Sequence, residues 1–150
     1  MMGADLYIKD MPREAQYKGF EVSKEAVDVG YFRDCYNSSG LFAFLTINVG
    51  KSFSWWELST KKEWFTRSQE DGLLMTIKGA KEFLKLILDA KRKVMKKDIL
   101  FLREWTNDPN EKVTRALTIH DAKEYENWIN LLISFLRLAI KNKSQIIWSV

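Results

Sequence analysis

The chain has 150 residues, 46% of them hydrophobic and 29% charged, with 7 Gly and 2 Pro, which excludes fibrous, collagen-like and intrinsically disordered proteins. A single Cys and a single His exclude an intrachain disulfide scaffold, Cys/His zinc fingers, two-histidine metalloprotease motifs and iron–sulfur ligation. The net charge of +4 argues against an acidic nucleic-acid mimic and permits a nucleic-acid or acidic-protein partner without requiring one.

No stretch reads as a linker and no internal repeat is present, so the expectation is a single domain over 1–150. Met1-Met2-Gly3-Ala4-Asp5 lacks the basic and apolar regions of a signal peptide, and no apolar run approaches a bilayer span. The expected setting is therefore the cytoplasm, away from the membrane, with Cys35 reduced. Leu6-Tyr7-Ile8 reads as a short strand. Residues 13–28 read as a loop and a short helix with Ser23 as N-cap. The next segment, 30–40, begins and ends in Gly and closes on Asn37-Ser38-Ser39-Gly40, which is turn chemistry. Leu41, Phe42, Phe44, Leu45, Ile47 and Val49 form an apolar run, read as a short helix starting near Ser38 or Ser39.

Ser54-Trp55-Trp56-Glu57-Leu58 precedes a charged segment reaching Gly72. Ile77, Ala80, Phe83, Leu84, Ile87, Leu88 and Met95 recur at helical spacing with lysines opposite, which predicts a helix of about 20 residues capped near Thr76. Residues 98–105 read as a second short helix, ended by Asn107-Asp108-Pro109-Asn110. Tyr125, Trp128, Ile129, Leu132, Phe135, Leu136, Ala139 and Ile140 define the last helix, with Thr118 or Asp121 as cap. Ile146-Ile147-Trp148 reads as a terminal strand able to pair with the first. Together these elements predict a mainly α fold: a small helical domain with a minor two- or three-stranded β element involving the chain termini.

Three stretches, Met2-Gly3-Ala4-Asp5-Leu6-Tyr7-Ile8, Tyr31-Phe32-Arg33-Asp34-Cys35-Tyr36-Asn37 and Ser54-Trp55-Trp56, carry a resemblance, as does the tail from Leu132 to Val150. The chain resembles an uncharacterised family of small proteins of bacteria and their phages. Members share a start of this kind, a Tyr-Phe-Arg-Asp-Ser-Tyr-Asn-like segment, a Ser-Trp-Trp and a final helix with a short hydrophobic tail. The resemblance implies a phage or mobile-element setting and no particular activity. Cys35 stands where the family has Ser, and Met1 precedes the family's usual start.

The segment Tyr31–Asn37 is the densest in chemistry. Arg33 can grip carboxylate or phosphate, Asp34 can serve as base, cap or metal ligand, and Asn37 can read an amide or a base edge. Tyr31, Tyr36, Trp55 and Trp56 offer flat surfaces for stacking. With Asp5, these residues form either a surface for a protein partner or nucleotide-like ligand, or an internal brace in which Arg33 pairs with Asp5 or Asp34. Asp5, Asp34 and Glu57 are carboxylates able to serve magnesium, but no phosphate-binding Gly loop accompanies them. Cys35 and His120 are distant in sequence, and nothing there joins them as nucleophile and base. No catalytic, metal or cofactor site is assigned.

The run Lys78, Lys81, Lys85, Lys91, Arg92, Lys93, Lys96 and Lys97, offset only by Glu82 and Asp89, spreads over more than half of a helix circumference. It reads either as a solvated face or as a nucleic-acid docking surface centred on Lys85, Lys91, Arg92, Lys93, Lys96 and Lys97. The leading expectation is a non-enzymatic binding or accessory protein of phage or mobile-element type, set to modulate host defence, using the Arg/Asp/Asn and Tyr/Trp surface. The alternatives are a small enzyme acting on nucleotides or nucleic acid, with Arg33 on phosphate and Asp34 as base or metal ligand, and a nucleic-acid-binding accessory protein using the lysine-rich helix.

Overall fold

Apolar and polar residues alternate along Gly3–Ile8, with Ala4, Leu6 and Ile8 wholly buried on one side and Asp5 and Tyr7 on the other, the signature of a strand covered on its apolar face. The computed structural model describes residues 3–11, 22–35, 39–105 and 112–149. In chain order they form β1 (Gly3–Ile8), α1 (Lys24–Asp28), β2 (Tyr31–Cys35), α2 (Leu41–Val49), α3 (Trp55–Leu58), β3 (Phe65–Ser68), β4 (Gly72–Met75), α4 (Ile77–Met95), β5 (Phe101–Trp105), β6 (Lys112–Ala116), α5 (Ile119–Lys141) and β7 (Ile146–Ser149). Five strands make one antiparallel sheet in the order β2-β1-β7-β4-β3, and β5 pairs with β6 in a separate ribbon. The mainly α expectation is therefore corrected to a mixed α and β architecture built on a five-stranded antiparallel sheet.

The two chain ends do pair, β1 against β7, with Leu6 opposite Trp148. They lie in the interior of a larger sheet, because the hairpin β3–β4 extends it beyond β7. The first strand and the turn of that hairpin lie in the segment read as merely charged. β3 is a four-residue edge strand with Thr66 and Arg67 exposed, so it carries no apolar alternation. Gly72, at φ +75°, supplies the left-handed residue that closes the turn, and the Asp71 N–H donates to Ser68 Oγ at 2.9 Å.

One face of the sheet receives α4 and α5. Phe83 and Ile87 of α4 and Leu132, Phe135 and Leu136 of α5 are fully buried with Leu6, Ile8, Met75 and Ile146, each such burial stabilising the fold by about 1.5–3 kcal/mol. Trp148 lies among Phe42, Phe65 and Phe83 at ring separations of 6.1, 5.2 and 5.8 Å. The opposite face holds a smaller buried cluster of Tyr7, Tyr31, Leu74 and Ile147 with Ala26 of α1.

Helix starts follow the caps read from sequence. Ser23 accepts from the Ala26 N–H at 3.1 Å, Thr76 from the Gly79 N–H at 2.9 Å, and Thr118, not Asp121, caps α5 by accepting from the Asp121 N–H at 3.1 Å. The short helix expected from Ser38 or Ser39 begins at Leu41, with Gly40 as its cap residue.

Residues 101–105 are a strand, where a second short helix was expected. The amide of Asn48 decides the matter. Its Oδ1 accepts from the Phe101 N–H at 2.9 Å and its Nδ2 donates to the Phe101 carbonyl at 2.8 Å. A single side chain thereby mimics a neighbouring strand along the β5 edge that faces away from β6. Asn48 itself is buried and also donates to the Phe44 carbonyl at 2.9 Å, so it ties the ribbon to α2.

Candidate functional site

Three of the residues singled out in sequence meet on the sheet face opposite α4 and α5. The β1–β2 register sets Asp5 directly across from Arg33 and Tyr7 across from Tyr31. The Tyr31 hydroxyl donates to Asp5 Oδ1 at 2.6 Å, and the Arg33 guanidinium reaches the same oxygen at 3.4 Å. Tyr31 is fully buried, its ring 5.3 Å from that of Tyr7. Burial first, and the adjacent Asp5 carboxylate second, push the Tyr31 hydroxyl well above the ordinary tyrosine range, so it serves here as a permanent donor. The side chains of Arg33 and Asp5 keep only 15% and 16% of their surface open to solvent. Of the two partners considered for Arg33, Asp5 is the one the register selects.

Asp34 points the other way, as the next residue along a strand must. It is 2% exposed, and its carboxylate accepts from the Leu41 N–H at 2.6 Å and the Phe42 N–H at 3.3 Å. These are the first orphan donors of α2, whose own cap residue, Gly40, has no side chain to offer. A negative group at a helix N-terminus is favoured by the helix dipole as well. Asp34 is thus a cap supplied from a neighbouring strand, seven residues before the helix it serves.

Tyr36 and Asn37 lie outside the described residues. Trp55 and Trp56 open α3, and their side chains, like that of Cys35, lie outside the description. His120 occupies the first turn of α5, exposed, with its imidazole Nε2 3.1 Å from Glu124. Among the described residues, no three His, Cys, Asp or Glu side chains converge to hold a metal ion, and Asp5 and Asp34 lie on opposite faces of the sheet. No helix of the described residues is long and apolar enough to cross a membrane.

Two aromatic residues absent from the candidate set close the far edge of β2. Trp128 donates its indole N–H to the Arg33 carbonyl at 3.2 Å, and the Tyr125 hydroxyl donates to the Ser39 carbonyl at 2.5 Å. Tyr125 also stacks on Phe44 at 4.2 Å with planes 8° apart. Their three-residue spacing on an apolar helix face gave them the look of ordinary core residues.

The second set of candidates stands on α4. Phe83, Ile87, Ala90 and Val94 anchor this helix to the core, leaving the opposite side in water. At 100° per residue, Lys78, Lys81, Lys85, Arg92 and Lys96 fall within an arc of about 60°, a stripe about 27 Å long. All five are exposed. Lys93 flanks the stripe, Lys97 lies just beyond the helix end, and Lys91 turns toward the half-buried side. The solvent-facing cations are therefore more focused than the full run of eight suggested.

The two acids of the helix are engaged. Asp89 accepts from Arg92 at 2.8 Å and lies 3.1 Å from Lys93, whose ammonium holds the Asp89 carboxyl below its usual value. Glu82 accepts from the Trp64 indole N–H. At the start of the helix Lys78 pairs with Glu63, whose carboxyl is lowered by that contact. Lys81, Lys85 and Lys96 form no ion pair among the described residues. Residues 77–97 carry eight cations and two acids, a local charge above the +4 of the whole chain.

No protein-family model, no curated protein and no solved structure matches the chain.

Proposed function

We propose that the chain is a non-enzymatic accessory protein that docks nucleic acid through the exposed basic face of α4. The observation that carries this reading is the alignment of Lys78, Lys81, Lys85, Arg92 and Lys96 on one solvent-facing arc while the helix acids are occupied by Trp64, Arg92 and Lys93. A line of cations on a rigid support attracts a polyanion by releasing its condensed counterions. The segment around Arg33 offers less to an external ligand. Asp5 is spent on Tyr31 and Arg33, and Asp34 on the α2 N-terminus, so the described part of that segment supports the brace reading. The phage or mobile-element setting implied by the family resemblance suits a small accessory protein working in the cytoplasm, and a role in modulating host defence belongs to the same proposal.

The test is an anisotropy titration of a labelled oligonucleotide, single-stranded and duplex, with the wild-type chain and with a Lys81→Ala/Lys85→Ala/Arg92→Ala/Lys96→Ala variant. Binding of either form by the wild type, weakened by at least about 100-fold in the variant at low salt, is the expected result. No binding of either form, or equal binding by the variant, overturns the proposal.

A further inference from the structure

Resting on the reading of α4 as a nucleic-acid surface, we infer that its partner is duplex rather than single-stranded, held by its phosphate backbone without readout of base sequence. Proteins that bind single strands pair a cationic track with aromatic rings on which unstacked bases lie. α4 carries one aromatic residue, Phe83, and it is fully buried against the core. A base turned toward this stripe meets lysine methylenes and no ring.

Direct readout of a duplex needs amide or guanidinium forks free to reach base edges. The helix Ile77–Met95 contains no Asn, Gln, Ser or Thr. Its one Arg, Arg92, has its guanidinium on Asp89 at 2.8 Å. What remains is lysine, a flexible point charge suited to phosphate and indifferent to base identity.

The shape of the stripe agrees with a stiff partner. Thr76 caps α4 at its start and buried residues fasten it to the core along its length, so the backbone beneath the cations is held in place. Its length of about 27 Å spans roughly 8 base pairs of duplex at 3.4 Å each. The helix backbone that carries the lysines therefore loses little freedom on meeting a rigid double helix.

Three quantities distinguish the inference from the reading beneath it. A duplex of roughly 20 base pairs and the single strand of the same sequence are titrated between roughly 50 and 200 mM salt. The expected result is tighter binding of the duplex and a slope of log K on log salt of roughly −3, from phosphate contacts of the three lysines without an ion pair among the described residues, Lys81, Lys85 and Lys96, at about 0.9 each. Lys85→Ala should lower the slope by about one unit, equally for duplexes of different sequence. The exposed control Lys141→Ala, at the far end of α5, leaves the slope unchanged. Tighter binding of the single strand, discrimination between duplex sequences, or an unchanged slope in Lys85→Ala overturns the inference while leaving nucleic-acid binding in place. Failure to bind either form overturns both.

Discussion

Gly79 sits in the first turn of α4, and replacing it with Ala sets two effects of opposite sign against each other. Helix propensity alone favours Ala over Gly by about 0.8–1.0 kcal/mol. Geometry opposes it. A Cβ at position 79 would lie 2.5 Å from the Trp64 carbonyl oxygen and 2.8 Å from the Trp64 Cα. Both neighbours are backbone, so no flexible side chain can swing aside. The same carbonyl accepts from the Thr76 N–H at 2.8 Å and from the Thr76 hydroxyl at 3.2 Å, so displacing it disturbs the residue that caps α4. Overpacking against fixed atoms costs about 1–3 kcal/mol or more, and loss of a cap adds about 1 kcal/mol. The penalty exceeds the propensity gain, and Gly79→Ala should destabilise by about 1–3 kcal/mol. For a chain of this size that lowers Tm by roughly 3–9 °C. Urea unfolding followed by circular dichroism is the assay, with Lys81→Ala on the same helix as an exposed control that stays within about 0.5 kcal/mol of wild type. A Gly79→Ala protein as stable as wild type, or more so, refutes the close approach of α4 to the Trp64 turn.

Asp34→Ala leaves two buried N–H groups of α2 without an acceptor and should cost about 2–4 kcal/mol by urea unfolding, with Asp34→Asn, which keeps one acceptor oxygen, losing about half as much; equal stability of all three proteins would mean that Asp34 does not cap α2. Asn48→Ala removes both partners of the Phe101 backbone and should speed amide exchange across β5 and β6 while costing about 2–3 kcal/mol; unchanged ribbon protection contradicts that. Tyr31 has a folded pKa above its ordinary value of 10.0, so its contribution to stability is complete below that pH and is lost as pH rises further. Tyr31→Phe should therefore flatten the fall in stability above pH 10 relative to wild type, and parallel curves for the two proteins would exclude Tyr31 as its source.

The parts of the fold legible in the sequence are those written in a long repeat. α4 and α5 each set out several turns of apolar residues at helical spacing, so both helices could be read directly, with the cap of α4 placed near Thr76 and that of α5 narrowed to Thr118 or Asp121, of which Thr118 is the cap. The pairing of the chain ends was legible for a similar reason: Leu6-Tyr7-Ile8 and Ile146-Ile147-Trp148 are short apolar runs of strand-forming residues. β3 was not legible, because an edge strand of Phe-Thr-Arg-Ser owes its conformation to β4 and buries little itself. β5 was misread because Leu100-Phe101-Leu102 suits helix and strand alike, and the deciding contact comes from Asn48, more than fifty positions earlier. The sheet was read as a minor element because β2, β3 and β4 were not read as strands, while the misreading of β5 hid the separate ribbon.

The candidate site divides in the same way. Strand register brings Asp5, Tyr31 and Arg33 of the grouped candidates together. Asp34 was adjacent in sequence and carried by alternation to the other face, where its partners are the backbone of α2. The lysine run was read as diffuse because a helical projection treats all eight cations alike. Burial of Phe83, Ile87, Ala90 and Val94 fixes which side of the helix meets water, and that side holds the aligned five.

The most direct measurement compares the duplex affinity at low salt of three proteins: wild type, Arg33→Ala, and the quadruple alanine variant of Lys81, Lys85, Arg92 and Lys96. Arg33→Ala, held well below its melting temperature, should bind like wild type, because Arg33 braces Asp5 on the other side of the sheet. The quadruple variant should lose at least about 100-fold. The reverse pattern, with affinity lost in Arg33→Ala and kept in the quadruple variant, would move the working surface from α4 to the β1–β2 face and contradict the function proposed above.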